Sequence, residues 1–109
     1  MAPDIETITA LARQYTADVC HCYPVKSAFL FGSHANGTSN EHSDIDICFF
    51  LDSYNEKDEF DILLHLYRIK RNYKKINFDP KIFEFSDIGD DNPMIKEILQ
   101  TGKDLLIAT

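Results

Sequence analysis

The sequence lacks the features that mark several broad classes of protein. No apolar run approaches the roughly 20 residues needed to cross a bilayer, and the opening stretch, MAPDIETITA, has no basic region followed by an apolar one. Cysteines number only three, Cys20, Cys22 and Cys48, and an odd count argues against a disulfide framework. We therefore expect a cytoplasmic protein with no membrane partner.

Basic residues are also scarce. The chain has 11 Lys and Arg against 18 Asp and Glu, which gives a net charge of −7. A general nucleic-acid binder needs a basic face to displace counterions, so nucleic acid is not the expected partner. A small anionic ligand such as a nucleotide is still compatible with this charge, because backbone N–H groups and recruited cations can hold it.

The apolar content is sufficient for one folded domain that spans residues 1–109. Apolar residues make up 44% of the chain. Their periodicity, together with turn residues and prolines, predicts the order α, β, β, α, β, α and a short last strand or docking tail. This order indicates an α/β (α+β) domain with a small mixed sheet and flanking helices. The predicted elements are helix 5–22, strands 25–31 and 44–51, helix 56–74, strand 76–85 and helix 93–102.

Two details of these elements can be checked against the structure. In the second helix the predicted apolar stripe consists of Phe60, Leu63, Leu64, Tyr67 and Ile69. In the third strand Pro80 lacks the N–H that a sheet requires, so this strand should lie at an edge or contain a bulge.

Two aspartates, Asp44 and Asp46, stand at the start of the second predicted strand. Residues two apart on a strand share one face, and the following ICFFL is apolar on both faces, as in a covered central strand. Close carboxylates repel each other, and a divalent cation between them removes this cost. Their hard oxygens suit Mg²⁺ bound together with substrate phosphates. Taken alone, the pair also fits an ordinary half-buried strand.

A Gly-Ser pair, Gly32 and Ser33, directly follows the first predicted strand. Glycine permits a sharp turn and a close ligand, and Ser33 offers an N–H and a hydroxyl to a phosphate. The spacing from Gly32 to Gly37 is that of a P-loop, but the lysine which that motif requires is missing. Ten residues separate the Gly-Ser pair from Asp44. A phosphate cradle beside a metal pair on the adjoining strand indicates phosphoryl or nucleotidyl transfer.

This spacing of Gly-Ser, ten residues and D-x-D resembles the minimal nucleotidyltransferases of the DNA polymerase β superfamily. The stretches FLFGS, SDIDI and NPMIKEILQTGKDLL also resemble standalone bacterial members, and the resemblance runs from about Val25 to the C-terminus. It implies a polymerase-β palm-like nucleotidyltransferase fold. It also implies transfer of a nucleoside monophosphate, AMP from ATP or another NTP, to a hydroxyl acceptor, with two Mg²⁺ ions as cofactors.

The resemblance assigns roles to individual residues. Asp44 and Asp46 would be catalytic metal ligands, together with a third carboxylate from a neighbouring strand. Asp79, within NFDPKIF, is the matching position for this third carboxylate, and Glu84 is the reserve candidate. The residues that would bind the nucleotide phosphates are Gly32, Ser33 and Asn36.

The sequence departs from the family pattern inside the Gly-Ser loop. Members commonly read Gly-Ser-Arg-Ala-Arg-Gly, whereas this chain has His34 and Asn36 in place of the two arginines. A guanidinium makes charge-assisted, often bidentate bonds to phosphate, and asparagine cannot replace that charge. Lys26 and Lys81 are the candidates to compensate.

The resemblance also implies a partner. Minimal members are often paired with a helical HEPN-domain protein, and some are antitoxins that transfer AMP to a tyrosine of a toxin. A chain of this length has no room for a separate acceptor-binding domain, so another protein or a homo-oligomer would complete the site. Two alternatives stay open: a catalytically degenerate binding or antitoxin module, and a small-molecule nucleotidyltransferase of the antibiotic-modifying type.

Overall fold

Helices and strands follow one another in the predicted order. The computed structural model describes residues 4–31, 44–74 and 76–106. Three 3₁₀ turns accompany the main elements of this part of the chain, at Glu56–Asp58, Lys70–Asn72 and Phe85–Asp87. The predicted loop 32–43 lies outside the described residues. The main elements are α1 (Ile5–Cys22), β1 (Val25–Phe31), β2 (Ile45–Leu51), α2 (Glu59–Ile69), β3 (Phe78–Glu84), α3 (Pro93–Thr101) and β4 (Lys103–Asp104).

Local sequence signals explain where the first and last helices begin and end. The Asp4 carboxylate accepts a hydrogen bond from the N–H of Thr7 and so caps α1. Pro24 ends that helix, because proline disfavours a helical residue before it. Asn92 caps α3, and Gly102 follows its last turn, where a Cβ atom would lie 2.4 Å from the Ile98 carbonyl oxygen. A side chain at this position would therefore force the backbone to move.

The strands form a mixed sheet in the order β3-β2-β1-β4 within the described part of the chain. β1 is antiparallel to both β2 and β4, whereas β2 and β3 are parallel. β3 therefore occupies an edge of the sheet and tolerates Pro80 without losing a ladder hydrogen bond to a further strand. The prediction for Pro80 is confirmed.

The two faces of the sheet bury different clusters. On one face, apolar side chains of α1 and α2 pack against alternate residues of β2, namely Ile45, Ile47, Phe49 and Leu51. On the other face, Ile95 and Ile98 of α3 pack against Cys48 and Phe50. α3 covers this second face only beyond Asp46, so the start of β2 keeps a partly open polar surface.

The predicted apolar stripe of α2 describes its buried face only in part, because Leu63 and Ile69 pack against the core from partly buried positions. Ile62 and Leu66 are the buried residues of this helix, and the Tyr15 hydroxyl of α1 donates to the Leu66 carbonyl oxygen. Phe60, Leu64 and Tyr67 are instead exposed, by 65%, 42% and 38%. The helix is apolar around most of its circumference, so periodicity alone could not select the inner face. Among the described residues, no helix has the length and apolarity to cross a membrane.

Candidate active site

Two aspartates stand opposite each other on the parallel strands β2 and β3. Asp46 pairs with Asp79 in the register of these strands. Both alternate with buried residues that face α1 and α2, so their side chains lie on the opposite face of the sheet. Each side chain remains 32% exposed. Because Phe31, the last residue of β1, pairs with Asp46, three strands meet at this corner.

Asp44 lies just before β2 and belongs to the same corner. Its side chain is exposed, and its Oδ1 atom accepts a hydrogen bond of 2.5 Å from the Asn77 amide. Asn77 comes just before β3, so this bond ties the start of one strand to the start of the other. Asp44 is close enough to Asp46 for its charge to raise the pKa of that carboxyl.

A lysine on β3 lies between the two opposed carboxylates. The Lys81 ammonium is 3.0 Å from Asp79 Oδ2 and 3.8 Å from Asp46 Oδ1. The same ammonium lies 6.0 Å from the centre of the Phe31 ring. Lys26 is exposed near the opposite end of β1, where Val25 pairs with Leu51. Of the two lysines considered from the sequence, only Lys81 is therefore part of this corner.

The two opposed aspartates have pKa values that shift in opposite directions. Burial raises the pKa of Asp46, and the charges of Asp79 and Asp44 raise it further, against an opposing effect of Lys81. Burial also acts to raise the pKa of Asp79, but hydrogen bonds from Lys81 and Tyr67 outweigh it and lower the pKa. The difference follows from the distances, because Lys81 is nearer to Asp79. The negative charge of Asp46 is therefore compensated less well than that of Asp79, and Asp46 would be stabilised more by a bound cation.

The model of the family described as polymerase beta, nucleotidyltransferase, matches residues 7–108, almost the whole chain. The chain belongs to this family. The resemblance inferred from the Gly-Ser and D-x-D spacing is therefore confirmed at the level of the nucleotidyltransferase domain. No protein of curated function gives a significant match.

Solved structures share the nucleotidyltransferase fold of this chain. A protein from Sulfolobus solfataricus described as a candidate nucleotidyltransferase is 24% identical, with a TM-score of 0.63 over 78% of this chain and 74% of its own. A toxin–antitoxin structure with AMP-PNP is 17% identical, with a TM-score of 0.58 over 89% of this chain and 74% of its own. An MntA–HpeT toxin–antitoxin mutant is 14% identical, with a TM-score of 0.55 and the same coverage.

The structure places some of the residues predicted for the nucleotidyltransferase site together and others elsewhere. Asp44, Asp46 and Asp79 lie together at one corner of the sheet, as described above. Glu84, the reserve carboxylate, pairs with Leu51 at the opposite end of β2 and β3, so it is not part of this corner. The role of the three aspartates as metal ligands stays a prediction. The predicted nucleotide-binding residues Gly32, Ser33 and Asn36 lie outside the described residues.

The donor atoms at this corner fit a hard divalent cation. Carboxylate oxygens from neighbouring strands are the ligands that Mg²⁺ prefers, and the Lys81 ammonium already shows that one cation can lie near both Asp46 and Asp79. Within residues 4–31, 44–74 and 76–106, however, no three His, Cys, Asp or Glu side chains form a ready-made metal site. Binding of Mg²⁺ would therefore require Lys81 to leave the space between Asp46 and Asp79, and Asp44 to leave Asn77.

Sequence reasoning missed the polar residues that hold the aspartates. The Tyr67 hydroxyl donates to Asp79 Oδ1 over 2.8 Å, and Asn77 donates to Asp44. The Lys70 ammonium donates to Asn77 Oδ1 and to the Phe78 carbonyl oxygen, each over 2.9 Å. Only one signal pointed to this role: Tyr67 is the single member of the predicted α2 stripe that carries a hydrogen-bonding group.

Proposed function

We propose that this protein transfers a nucleoside monophosphate, AMP from ATP, to a hydroxyl group of a partner protein. Membership of the polymerase beta nucleotidyltransferase family supports the class of reaction. The likeness in fold to a toxin–antitoxin structure with AMP-PNP supports the choice of an adenine nucleotide and of a protein partner. A helical HEPN-domain protein is the proposed partner.

One observation carries the proposal: the pairing of Asp46 with both Phe31 and Asp79. Gly32 and Ser33 come directly after Phe31 in the sequence. The residue that precedes the Gly-Ser pair in the sequence therefore lies beside the opposed carboxylates. A phosphate chain held by the Gly-Ser backbone would have its reacting end near the aspartates, which is the arrangement that nucleotidyl transfer requires.

The proposed reaction exchanges one phosphate ester bond for another. The acceptor hydroxyl oxygen forms a bond to the α-phosphorus of ATP, the bond from that phosphorus to the bridging oxygen breaks, and pyrophosphate leaves. Asp79 is ionised at neutral pH, since its pKa is lowered, so it can orient the hydroxyl and take its proton, which then passes to water. Mg²⁺ held by Asp44, Asp46 and Asp79 would stabilise the attacking and leaving oxygens.

The chain's own cationic group has a proposed role in the same reaction. The arginines common in the Gly-Ser loop of the family are replaced by His34 and Asn36. Lys81 is the ammonium near Asp46 and Asp79. If Asp46 and Asp79 held Mg²⁺, the Lys81 ammonium would be released from them, and it would then bind phosphate oxygens and supply part of the missing positive charge.

The experiment that tests the proposal uses ATP labelled at the α-phosphate. The protein is incubated with Mg²⁺ and the labelled ATP, together with a purified helical HEPN-domain protein as the candidate acceptor. Wild-type protein should label the partner. Asp46→Asn should reduce labelling by more than the 10–100-fold typical when a group that only hydrogen-bonds to a metal ligand is lost, because a proposed metal ligand itself is removed.

A matched control comes from the other end of the same strand. Asp52 follows β2 directly and is exposed, so Asp52→Asn makes the same chemical change away from the corner. This variant should label the partner at the wild-type rate. Transfer by Asp46→Asn at the wild-type rate would contradict the assignment of the site, and loss in both variants would point to a general effect of charge.

A second candidate function is a binding module without chemistry. The observation that favours it is that Lys81 neutralises the carboxylates in a chain that has lost both loop arginines. In the same experiment this function predicts a stable complex with the partner and no label on it. Label on an added aminoglycoside and not on the partner would indicate the small-molecule alternative instead.

A further inference from the structure

A tyrosine from a helix on the opposite side of the sheet reaches the candidate third carboxylate. Tyr67 lies near the end of α2, which packs with α1 on the face away from the aspartates. Because β3 is an edge strand, the Tyr67 side chain can pass beside it. Its hydroxyl then donates to Asp79 Oδ1 over 2.8 Å.

The two oxygens of Asp79 have different neighbours. Oδ1 accepts the bond from Tyr67, and Oδ2 accepts a bond of 3.0 Å from Lys81, which is also 3.8 Å from Asp46. Oδ2 is therefore the oxygen on the side of Asp46, since Lys81 contacts both. Oδ1 is the oxygen that the Tyr67 hydroxyl holds on the other side. A carboxylate held at one oxygen loses its freedom to rotate, so it presents the other oxygen in a constant direction.

The Tyr67 ring is itself held in place. The Lys70 ammonium lies 4.7 Å from the centre of the ring, which is a cation–π distance. Lys70 is in turn fixed by its bonds to Asn77 and Phe78, two residues at the start of β3. The Tyr67 ring is thus held by Lys70, which is itself bonded to residues at the start of the strand that carries Asp79. This second set of contacts distinguishes the Tyr67–Asp79 hydrogen bond from an isolated surface contact.

We propose that Tyr67 is a positioning residue that fixes the rotation of Asp79 and so directs Oδ2 toward Asp46. This inference rests on the proposed function, in which Asp46 and Asp79 bind one divalent cation together. The contribution of Tyr67 is to hold the ligand in its bound orientation before the ion arrives. Without the hydroxyl, each binding event would have to order Asp79 first.

The test measures binding of Mn²⁺ without nucleotide by electron paramagnetic resonance, together with the melting temperature. Tyr67→Phe keeps the ring and its contact with Lys70 and removes only the hydroxyl. We expect Mn²⁺ affinity to fall about 10–100-fold, as when other groups that hydrogen-bond to a metal ligand are removed. The melting temperature should fall by no more than a few degrees, because one partly exposed hydrogen bond is lost, and the KM for ATP should stay close to wild type while kcat falls. A merely structural role would change the melting temperature and leave Mn²⁺ affinity unchanged.

A matched control removes a tyrosine hydroxyl that contacts another side of the same helix. The Tyr23 hydroxyl lies 2.7 Å from His65 Nδ1, so Tyr23→Phe loses one hydrogen bond to α2 away from the aspartates. It should bind Mn²⁺ like the wild type. In a double-mutant cycle, Tyr67→Phe should have no further effect on Mn²⁺ affinity once Asp79→Asn is present, because Tyr67 acts through Asp79.

The outcomes separate this inference from the function on which it rests. If Asp46→Asn loses Mn²⁺ binding while Tyr67→Phe binds like the wild type, the positioning role is wrong and the site is retained. Equal additional losses from Tyr67→Phe with and without Asp79 would also overturn the positioning role. If Asp46→Asn and Asp79→Asn both bind Mn²⁺ like the wild type, the metal site is wrong and the inference falls with it.

Discussion

The two faces of strand β2 serve different purposes although their residues alternate one by one. On the face toward α1 and α2, Ile45, Ile47 and Phe49 are at most 3% exposed. On the other face, Asp46 keeps 32% exposure of its side chain and lies opposite Asp79. The first face contributes hydrophobic free energy along its whole length. The second face buries Cys48 and Phe50 against α3, but at its start it holds like charges close together at a cost to stability.

This difference shows how a small domain can tolerate several carboxylates at one corner of its sheet. Two close carboxylates in a partly buried site destabilise a fold, and a small chain has little stability in reserve. Here the sequence neighbours of Asp46, Ile45 and Ile47, are buried on the face covered by α1 and α2. On the opposite face, Lys81 and Tyr67 stabilise the Asp79 carboxylate through hydrogen bonds. Substitutions at adjacent positions should therefore separate folding from activity.

The largest expected effect on folding comes from Ile47, next to Asp46. Ile47→Ala removes buried methyl groups from a side chain that is 0% exposed and should cost about 2–5 kcal/mol of unfolding free energy. Transfer per folded molecule should remain, because the residue faces away from the corner. Urea denaturation with a transfer assay checks both. If Ile47→Ala and Asp46→Asn lose stability and activity in equal proportion, the two faces are not functionally separate.

The next effect concerns the cation already present at the corner. Lys81→Met keeps a similar side-chain length but removes the ammonium that lies near Asp46 and Asp79. Affinity for Mg²⁺ without nucleotide should rise a few-fold, because the lysine and the ion compete for the same oxygens and a partly exposed ion pair is worth at most about 1 kcal/mol. Isothermal titration calorimetry measures this. Weaker binding of Mg²⁺ would show that Lys81 holds the carboxylates ready for the ion.

Much of the fold could be predicted from the sequence because its signals are local. The cap Asp4, the break at Pro24 and the start at Pro93 predicted the bounds of α1 and the start of α3. Apolar strands and the edge proline Pro80 predicted most of the sheet. The inner face of α2 was predicted only in part, since Ile62 and Leu66 compete with five other apolar or aromatic residues of the helix for the core.

The candidate site was only half accessible to sequence reasoning. The ten residues between Ser33 and Asp44 predicted that these two positions lie close together, because so short a segment links the end of one strand to the start of its neighbour. Tyr67 and Lys70 could not be found in this way, since they come from a helix and their contacts depend on the edge position of β3. The family gave Asp79 as a carboxylate, but it gave no indication of what holds it.

A smaller effect should appear in the stability of Asp46→Asn without metal. Burial and the neighbouring carboxylates raise the pKa of Asp46, so ionisation costs more in the folded state than in the unfolded chain. The wild type therefore loses stability from this group as pH rises through its raised pKa. The asparagine variant avoids that loss and should melt a few degrees higher at pH 7, about 0.5–1 kcal/mol, since both carboxylates remain partly hydrated.

Thermal melts at pH 4 and pH 7 without divalent cations test this sign. The advantage of Asp46→Asn over the wild type should shrink as the pH falls from 7 to 4, because the raised pKa makes the wild-type carboxyl take up its proton at a higher pH than an unperturbed aspartate does. Asp79 has the opposite sign, because its pKa is lowered, so Asp79→Asn should be less stable than the wild type at pH 7. A variant at Asp46 that melts below the wild type at pH 7 would mean that Lys81 stabilises the Asp46 carboxylate more than burial destabilises it.

The smallest expected effect is that of Leu64→Ala, and Leu66→Ala on the same helix is its reference. Leu66 is fully buried, and Leu64 is 42% exposed. Leu66→Ala should cost about 2–5 kcal/mol, whereas Leu64→Ala should change the unfolding free energy by about 0.5 kcal/mol or less. Chemical denaturation of both variants measures the difference. Equal costs would mean that the exposed side of α2 is buried in solution, for example against a second copy of the chain. In that case the stability of the protein should depend on its concentration.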